Sequence, residues 1–333
     1  MSVFYINEND CILKKVDERV KLIKDKITLA DIPLIKITEI VIFGRVTVTH
    51  EVFEELSRRK ISLCYLSEYG KYKTRLETNF SKNIILRVNQ YKNNFDNDKK
   101  CKISAGFVKG KLSNYRMAIL SLQREKKEID FSSSINLLKE LIKKLDNCND
   151  LDKIRGYEGC GSAEYFKNFK YFIKNPEFIF KKREKHPPPD PINALLSLGY
   201  SLLRNDIDSA INIVGFDPYL GYLHSEHYGR ASLSFDLMEE FRPLLVDSVV
   251  ISMINRNQIT QDDFREELPN SFLLKDEARK TFFKAYEQRK LTEFKHPYFN
   301  YKVNYLRCFE LQCRILAKFL NEEIDEYVPL IMR

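Results

Sequence analysis

The stretch GFDPYLGYLHSEHYGRASLSFDLMEEFRP, residues 215–243, sets the expectations for the fold of the chain around it. From about Ser232 its apolar residues recur at steps of three and four, a spacing that predicts a helix. We expect Ser232 or Ser234 to cap the start of this helix, with Asp236 in its first turn. Because the helix is apolar on nearly every side, we expect it to lie in the interior of the protein.

Carboxylates in this helix, among them Asp236 and Glu239, are three or four residues apart, so at least two of them share one face. An ionised carboxylate in an apolar interior must be paired, hydrogen-bonded or bound to a metal, because an isolated buried charge is costly. One interpretation is a structural ion pair of Glu239 with Arg242 or Arg230. The other is a functional site that includes an imidazole, for which His224 is the candidate.

A further candidate, Glu158, lies in RGYEGCGSAEYF, residues 155–166, where neighbouring glycines let a backbone or a ligand approach closely. Taken alone, Glu158 is better explained as a carboxylate near the entry of a helix, beside an arginine. Together with His224 and Glu239, or Asp236 in its place, it supplies one imidazole and several carboxylate oxygens. Such an oxygen-rich set suits Mn²⁺ or Mg²⁺ better than Zn²⁺, which takes more nitrogen or sulfur ligands.

The composition favours a mainly helical protein of a reducing compartment. The chain of 333 residues is long enough for two domains, and only 11 glycines and 11 prolines favour long helices over a loop-rich fold. Lys and Arg exceed Asp and Glu by 55 to 47, an excess compatible with a polyanionic partner. The seven cysteines form no CxxC pair, and neither a signal peptide nor a membrane-spanning run is evident, so we expect a soluble, cytoplasmic protein.

Two regions of different periodicity divide the chain. Short runs rich in Val, Ile and Tyr predict strands in the N-terminal region, with one helix after Thr49, whereas helical spacing continues from about Lys82. Within the helical region we expect a polar loop at NNFDNDKK, residues 93–100. The predicted fold is therefore α+β, with a β-rich, sandwich-like domain at residues 1–78. A larger all-α domain that carries the metal site is expected at residues 79–333.

Three segments of this chain together resemble the CRISPR-associated protein 1 family, the integrase of CRISPR spacer acquisition. They are residues 155–166, HPPPDPINALLSLGYSLL at 186–203, and 215–243. The resemblance implies that the 3′-hydroxyl of a captured DNA fragment attacks a phosphodiester at the CRISPR repeat and joins the strands by transesterification. It also implies a bound Mn²⁺ or Mg²⁺, a homodimer formed through the N-terminal β domains, and a complex with CRISPR-associated protein 2 that holds a short double-stranded DNA.

The resemblance also implies roles for individual residues. Glu158, His224 and Glu239 match the metal ligands of the family, and Asp236 is a supporting acid or an alternative ligand. The residues expected to contact DNA are Arg204, Arg230, Arg242 and Tyr165. Two other functions fit the same residues: a structure-selective, metal-dependent DNA nuclease in which water replaces the 3′-hydroxyl, and a non-catalytic DNA-binding scaffold whose acids form structural ion pairs.

Overall fold

The chain divides into two compact units, Met1–Phe80 and Ser81–Arg333, in this computed structural model. The residues that the structure describes are 2–68, 70–76, 81, 83–185, 187–268 and 271–332. The predicted domain boundary, between residues 78 and 79, lies outside the described residues. In the part of the chain that is described, no helix is long and apolar enough to cross a lipid bilayer.

Unit 1 consists of two four-stranded sheets and one helix that share an apolar core. Its elements are β1 (Ser2–Ile6), β2 (Cys11–Val16), β3 (Arg19–Lys24), β4 (Ile27–Pro33), β5 (Ile37–Phe43), β6 (Val46–Val48), α1 (His50–Arg59), β7 (Ser62–Leu66) and β8 (Tyr72–Leu76). The sheet orders are β1-β5-β7-β8 and β4-β3-β2-β6. In β2, Cys11 and Leu13 are buried whereas Ile12 is 48% exposed, because successive side chains of a strand point to opposite faces.

Unit 2 is helical and carries the candidate site. Its helices are α2 (Ile84–Phe95), α3 (Asn97–Glu125), α4 (Ser132–Leu145), α5 (Leu151–Asn168), α6 (Pro191–Val214), α7 (Ser232–Met238), α8 (Ser248–Asn255), α9 (Asp276–Lys290) and α10 (Tyr305–Leu320). The predicted α+β fold class is confirmed. The second domain was expected to be all-α, but it also contains two small antiparallel sheets, because strands this short leave little alternation in the sequence. Their strands are β9 (Phe264–Leu268), β10 (Ser271–Leu274), β11 (Glu293–Lys295) and β12 (Lys302–Asn304).

The prediction of a polar loop at residues 93–100 is wrong, since α2 continues to Phe95 and α3 begins at Asn97. Asp96 alone separates the two helices, with a backbone at φ −85° and ψ 107°. Its carboxylate accepts a hydrogen bond from the backbone N–H of Lys99 at 3.0 Å. This cap satisfies a backbone donor that the first turn of a helix leaves unpaired, so the polar run remains helical.

The starts of α6 and α7 are capped differently. At the start of α6, Asp190 accepts a hydrogen bond from the backbone N–H of Asn193 at 2.8 Å, and proline occupies the first turn. At the start of α7 neither predicted serine acts as a cap. Ser232 Oγ donates to the carbonyl of Ser225 at 3.1 Å, and the hydroxyl of Ser234 donates to a buried aspartate on α6. Both serines therefore hold neighbouring segments against α7.

The helix that begins at Ser232 does not continue regularly through the acidic cluster. α7 ends at Met238, and a π-helical segment, Arg242–Asp247, precedes α8. Pro243 has no N–H group to donate to the carbonyl of Glu239, which interrupts the α-helical ladder at this point. Such local departures from α-helical geometry occur often at functional sites. Glu239 therefore lies at the C-terminal end of α7, just before the irregular turn.

Candidate metal centre

The loop before α7 is held by polar side chains of α2. Gln90 Nε2 donates to the carbonyls of Asp217 at 2.8 Å and Leu220 at 2.9 Å. Asn94 Nδ2 donates to the carbonyl of Gly221 at 2.6 Å. These buried amides satisfy backbone acceptors that would otherwise lack partners in the interior. The loop consequently reaches His224 in a defined conformation.

Asp236, on α7, holds both the backbone and the ring of His224. Its side chain is fully buried, and its Oδ2 accepts hydrogen bonds from the backbone N–H groups of Tyr222 at 2.6 Å and Leu223 at 3.0 Å. Oδ1 accepts from the backbone N–H of His224 at 3.0 Å and lies 2.7 Å from His224 Nδ1. Gly221 has no room for a side chain, because a Cβ would lie 2.7 Å from Asp236 Oδ2. With Nδ1 engaged, Nε2 is the imidazole nitrogen left for a ligand.

Glu239 faces this nitrogen. Its Oε1 lies 4.0 Å from His224 Nε2, and its Oε2 lies 2.6 Å from Lys111 Nζ and 3.1 Å from Arg242 Nε. Burial raises the pKa of Glu239, but chiefly the charges of Arg242 and Lys111 outweigh burial and hold it at about 2. The carboxylate is therefore ionised at neutral pH. The sequence suggested either a structural ion pair or a functional site at Glu239. The ion pair with Arg242 is observed, and Glu239 also approaches His224.

Glu158 joins the same cluster through Lys111. The ammonium of Lys111, on α3, also forms an ion pair with Glu158 Oε1, on α5. The same oxygen accepts a hydrogen bond from Ser162 Oγ at 2.8 Å. The side chain of Glu158 is 26% exposed, whereas that of Glu239 is 4% exposed. Lys111 thus links Glu158 to Glu239, and His224 approaches the other oxygen of Glu239.

Close packing of α3 against α5 places Lys111 near Glu158. A Cβ on Gly161 would lie 2.3 Å from Leu112 Cδ2, so any other residue here would force the leucine side chain or the helices to move. At Gly156 and Gly159, by contrast, nothing lies within 4 Å of the position that a Cβ would take. The glycine-rich segment therefore allows close approach at one of its three positions.

The nitrogen and carboxylate oxygens of Glu158, His224 and Glu239 suit a hard divalent cation, but these side chains would have to move closer together to bind one. Within the described ranges, no three His, Cys, Asp or Glu side chains cluster closely enough to hold a metal as they stand. However, two ligands at about 2.1 Å from one ion can be up to about 4.2 Å apart. The 4.0 Å between His224 Nε2 and Glu239 Oε1 lies within that span. A histidine whose other ring nitrogen is held by a carboxylate is also the usual arrangement at metal sites.

Tyr200 lies between Asp247 and Arg242 and contacts both. Asp247 is fully buried and its Oδ1 accepts a hydrogen bond from the hydroxyl of Tyr200 at 2.6 Å. The guanidinium of Arg242 lies 4.6 Å from the ring centroid of Tyr200, so Tyr200 holds Arg242 against Glu239. Burial raises the pKa of Asp247 to about 6, and its hydrogen bonds and nearby arginines only partly offset that effect.

The predicted DNA contacts divide into two groups. The ring of Tyr165 is 1% exposed and is stacked on Tyr115 with centroids 3.8 Å apart, and its contact with DNA stays a prediction. Arg242 is likewise buried and paired with an acid. Arg204 and Arg230 are only partly buried, and both guanidinium groups lie near the ring of Phe235, at 5.2 and 5.0 Å. These two arginines lie on the side of the site that includes His224, whose ring is 5.9 Å from that of Phe235.

Lys111 is the principal site residue that motif reasoning missed. It was one of many lysines on a long helix, and such residues usually face solvent. The available signal was its spacing, three residues after Val108 and four before Tyr115, both of which are buried. A lysine on the apolar face of a helix must find a buried counter-charge, and two acids elsewhere in the chain provide it.

The sequence and the fold both have clear relatives. The model for CRISPR associated protein Cas1 matches residues 4–288. A protein of Thermus thermophilus, named CRISPR-associated endonuclease Cas1 3, is 36% identical over 337 residues, with 100% of this chain and 98% of the relative covered. A casposase bound to an integration product has a TM-score of 0.87 at 23% identity, covering 98% of this chain and 93% of that chain. A Cas6-RT-Cas1–Cas2 complex has a TM-score of 0.81 at 23% identity, covering 99% of this chain and 36% of that chain.

These similarities define a nuclease-class enzyme of CRISPR adaptation. The extent of the family match and the full-length relative allow a more specific statement. The chain belongs to the CRISPR associated protein Cas1 family. The resemblance seen in three sequence segments is confirmed, and so is the function it implied, that of a CRISPR adaptation integrase or nuclease.

Proposed function

We propose that Glu158, His224 and Glu239 hold a divalent cation, Mn²⁺ or Mg²⁺, and that the chain catalyses transesterification at this site. The observation that supports this most directly is the 4.0 Å approach of His224 Nε2 to Glu239 Oε1 beside Glu158. The cation would supply Lewis acidity toward the phosphate that is attacked. A DNA 3′-hydroxyl would be the nucleophile, so no Ser or Cys of the protein needs to attack.

Each side chain has a distinct part in this proposal. With Asp236 Oδ1 2.7 Å from Nδ1, His224 would donate its Nδ1–H to Asp236, and Nε2, 4.0 Å from Glu239 Oε1, would bind the cation. Both oxygens of Asp236 already accept backbone N–H groups, so we assign it to positioning and Glu239 to metal binding. Arg204 and Arg230, whose side chains are only partly buried, would neutralise DNA phosphates.

The partners that we propose are double-stranded DNA, Cas2 and a second copy of this chain. Structures similar in fold are named for an integration product and for a complex with Cas2. The homodimer is supported by β4, an edge strand of one sheet of unit 1, on which Ile27 is 64% and Leu29 is 46% exposed. An edge strand with exposed apolar side chains is suited to association with another chain. The cytoplasmic location remains a prediction.

An integration assay with two kinds of DNA end tests the reaction. Purified protein, with and without Cas2, is incubated with supercoiled plasmid and a labelled short duplex, in Mn²⁺ or in chelator. The duplex carries either 3′-hydroxyl or 3′-deoxy ends. The variants are Glu158→Ala, His224→Ala and, as a matched control, His227→Ala, which removes an exposed histidine three residues from the proposed ligand.

We expect label to enter the plasmid only with 3′-hydroxyl ends and Mn²⁺, in wild type and in His227→Ala. Plasmid nicking that is equal for both kinds of end would instead identify water as the nucleophile and favour the nuclease. Transfer that survives in folded Glu158→Ala and His224→Ala would exclude this site. If folded wild type neither joins nor cuts DNA with Cas2 present, the non-catalytic scaffold is the better description.

A further inference from the structure

The centre of the candidate site is occupied by a side chain of the protein itself. The ammonium of Lys111 forms ion pairs with Glu158 Oε1 and with Glu239 Oε2, the latter at 2.6 Å. Its side chain is only 6% exposed, so water does not replace these two interactions. Lys111 is therefore a cation that bridges both of the acids assigned to metal binding.

Charge balance makes this position significant. Glu158 and Glu239 bring two negative charges, and Lys111 and Arg242 bring two positive charges. This set is neutral before any ion enters. A divalent cation held by Glu158 and Glu239 would need the same two carboxylates that Lys111 pairs with, and it would be repelled by an ammonium at that distance.

The two basic residues differ in how easily they could leave. Arg242 pairs with Glu239, and its planar guanidinium lies 4.6 Å from the ring of Tyr200, which is itself tied to Asp247. Lys111 has a flexible four-carbon stem and a compact ammonium, and the ring of Tyr115 lies 5.6 Å from that ammonium. Withdrawal of Lys111 would remove a positive charge from both acids at the same time, and Arg242 would still pair with Glu239.

We propose that Lys111 is an internal counterion that takes the place of the metal, and that a divalent cation binds by displacing its ammonium from Glu158 and Glu239. The inference rests on the proposed metal site. It has two consequences. Lys111 stabilises the site when no metal is bound, and it weakens the affinity for metal by competing for the same two carboxylates. Metal binding is thereby coupled to a movement of the Lys111 side chain on α3.

The test is a titration of the purified full-length protein with Mn²⁺ alone, followed by calorimetry, together with melting curves in chelator. Lys111→Met removes the charge and keeps most of the stem. Lys109→Met is the matched control, because Lys109 lies on the same helix but pairs with Asp146 at 2.7 Å and is 41% exposed. Lys111→Gln, which can still hydrogen-bond to carboxylates, serves if Lys111→Met does not fold. His224→Ala tests the metal site itself.

We expect Lys111→Met to bind Mn²⁺ at least about tenfold more tightly than wild type, which corresponds to ~1.4 kcal/mol. In chelator its melting temperature should fall by roughly 5 °C or more, because two acids lose a shared counter-charge, and Mn²⁺ should restore it. Lys109→Met should match wild type in Mn²⁺ affinity.

The outcomes separate the two proposals. If His224→Ala abolishes Mn²⁺ binding but Lys111→Met and Lys111→Gln bind no more tightly than wild type, the counterion role is refuted and the metal site stands. If Mn²⁺ binds equally to wild type and His224→Ala, the metal site itself is refuted. Binding that appears only when Lys111 is replaced would support both proposals, and no binding by any folded variant would refute both.

Discussion

The substitution Asp236→Asn tests whether Asp236 holds His224 in place. The native carboxylate accepts with both oxygens: Oδ2 from the N–H groups of Tyr222 and Leu223, at 2.6 and 3.0 Å, and Oδ1 from His224 at 3.0 Å. Asparagine presents an NH₂ group in place of one oxygen, and this group cannot accept a hydrogen bond. If it replaces Oδ2, two backbone donors are left unpaired in the interior.

If the NH₂ group replaces Oδ1 instead, it meets the backbone N–H and the ring of His224. Nδ1 must then accept a hydrogen bond, so the ring proton moves to Nε2, and the lone pair needed by a metal is lost. A hydrogen bond to a charged group contributes ~1.5–3 kcal/mol, so the loss of two predicts that the free energy of unfolding falls by ~3–6 kcal/mol. We expect weaker Mn²⁺ binding in addition, through His224.

Urea unfolding in chelator measures the first effect, and Mn²⁺ titration measures the second. The matched control is Asp217→Asn, an aspartate of the same loop that accepts the N–H of Tyr219 at 2.9 Å but is only partly buried. Its free energy of unfolding should change by about 1 kcal/mol or less. If Asp236→Asn unfolds like wild type and loses only Mn²⁺ binding, Asp236 is a metal ligand and its positioning role is refuted.

Three further predictions concern the helices around the site. Gly161→Ala should lower the free energy of unfolding by ~1–3 kcal/mol, because its Cβ would overlap a leucine on α3. Gly159→Ala, on the same helix, should raise it by ~0.5–1 kcal/mol. Equal effects of the two substitutions in urea unfolding would contradict this packing. Burial raises the pKa of Asp247 from 3.8 to about 6, so between these values the native state holds a proton that the unfolded chain has released. Stability should therefore fall by up to ~3 kcal/mol as the pH rises through that window, and Asp247→Asn should lose this slope in urea unfolding from about pH 4 to 7. Tyr327→Phe removes the hydroxyl that donates to buried Glu240, so it should lower the free energy of unfolding by ~1–3 kcal/mol. Thermal unfolding that matches wild type would contradict this prediction.

Several elements could be predicted because their signals are local. The start of α6 follows from Asp190 and the proline after it, and the strands of unit 1 follow from runs of alternating or β-branched residues. The boundary between α2 and α3 could not be predicted in the same way. A polar run normally indicates a loop, but Asn94 in this run is buried and donates to the carbonyl of Gly221. Its partner lies 127 residues away in sequence, beyond the reach of any local pattern.

The candidate site shows the same division. Glu158, His224 and Glu239 became candidate metal ligands because their residue types suit metal chemistry and the motifs around them resemble one family. The burial of Tyr165 could not be predicted, because helical spacing gives the face of α5 on which it lies but not whether another helix covers that face. Its stacking on Tyr115 of α3 depends on how the two helices pack.

By itself, then, the sequence determined the class of fold, the family and the three residues proposed to bind a metal, since these depend on local periodicity and residue chemistry. Only the tertiary structure decided that Lys111 lies between Glu158 and Glu239 and that Asp236 holds His224. The physical reason is that helical spacing constrains neighbours within a few turns, whereas distances between helices depend on packing. The tight approach of α5 to α3 at a single glycine sets one of those distances, and it brings an ammonium to the acids.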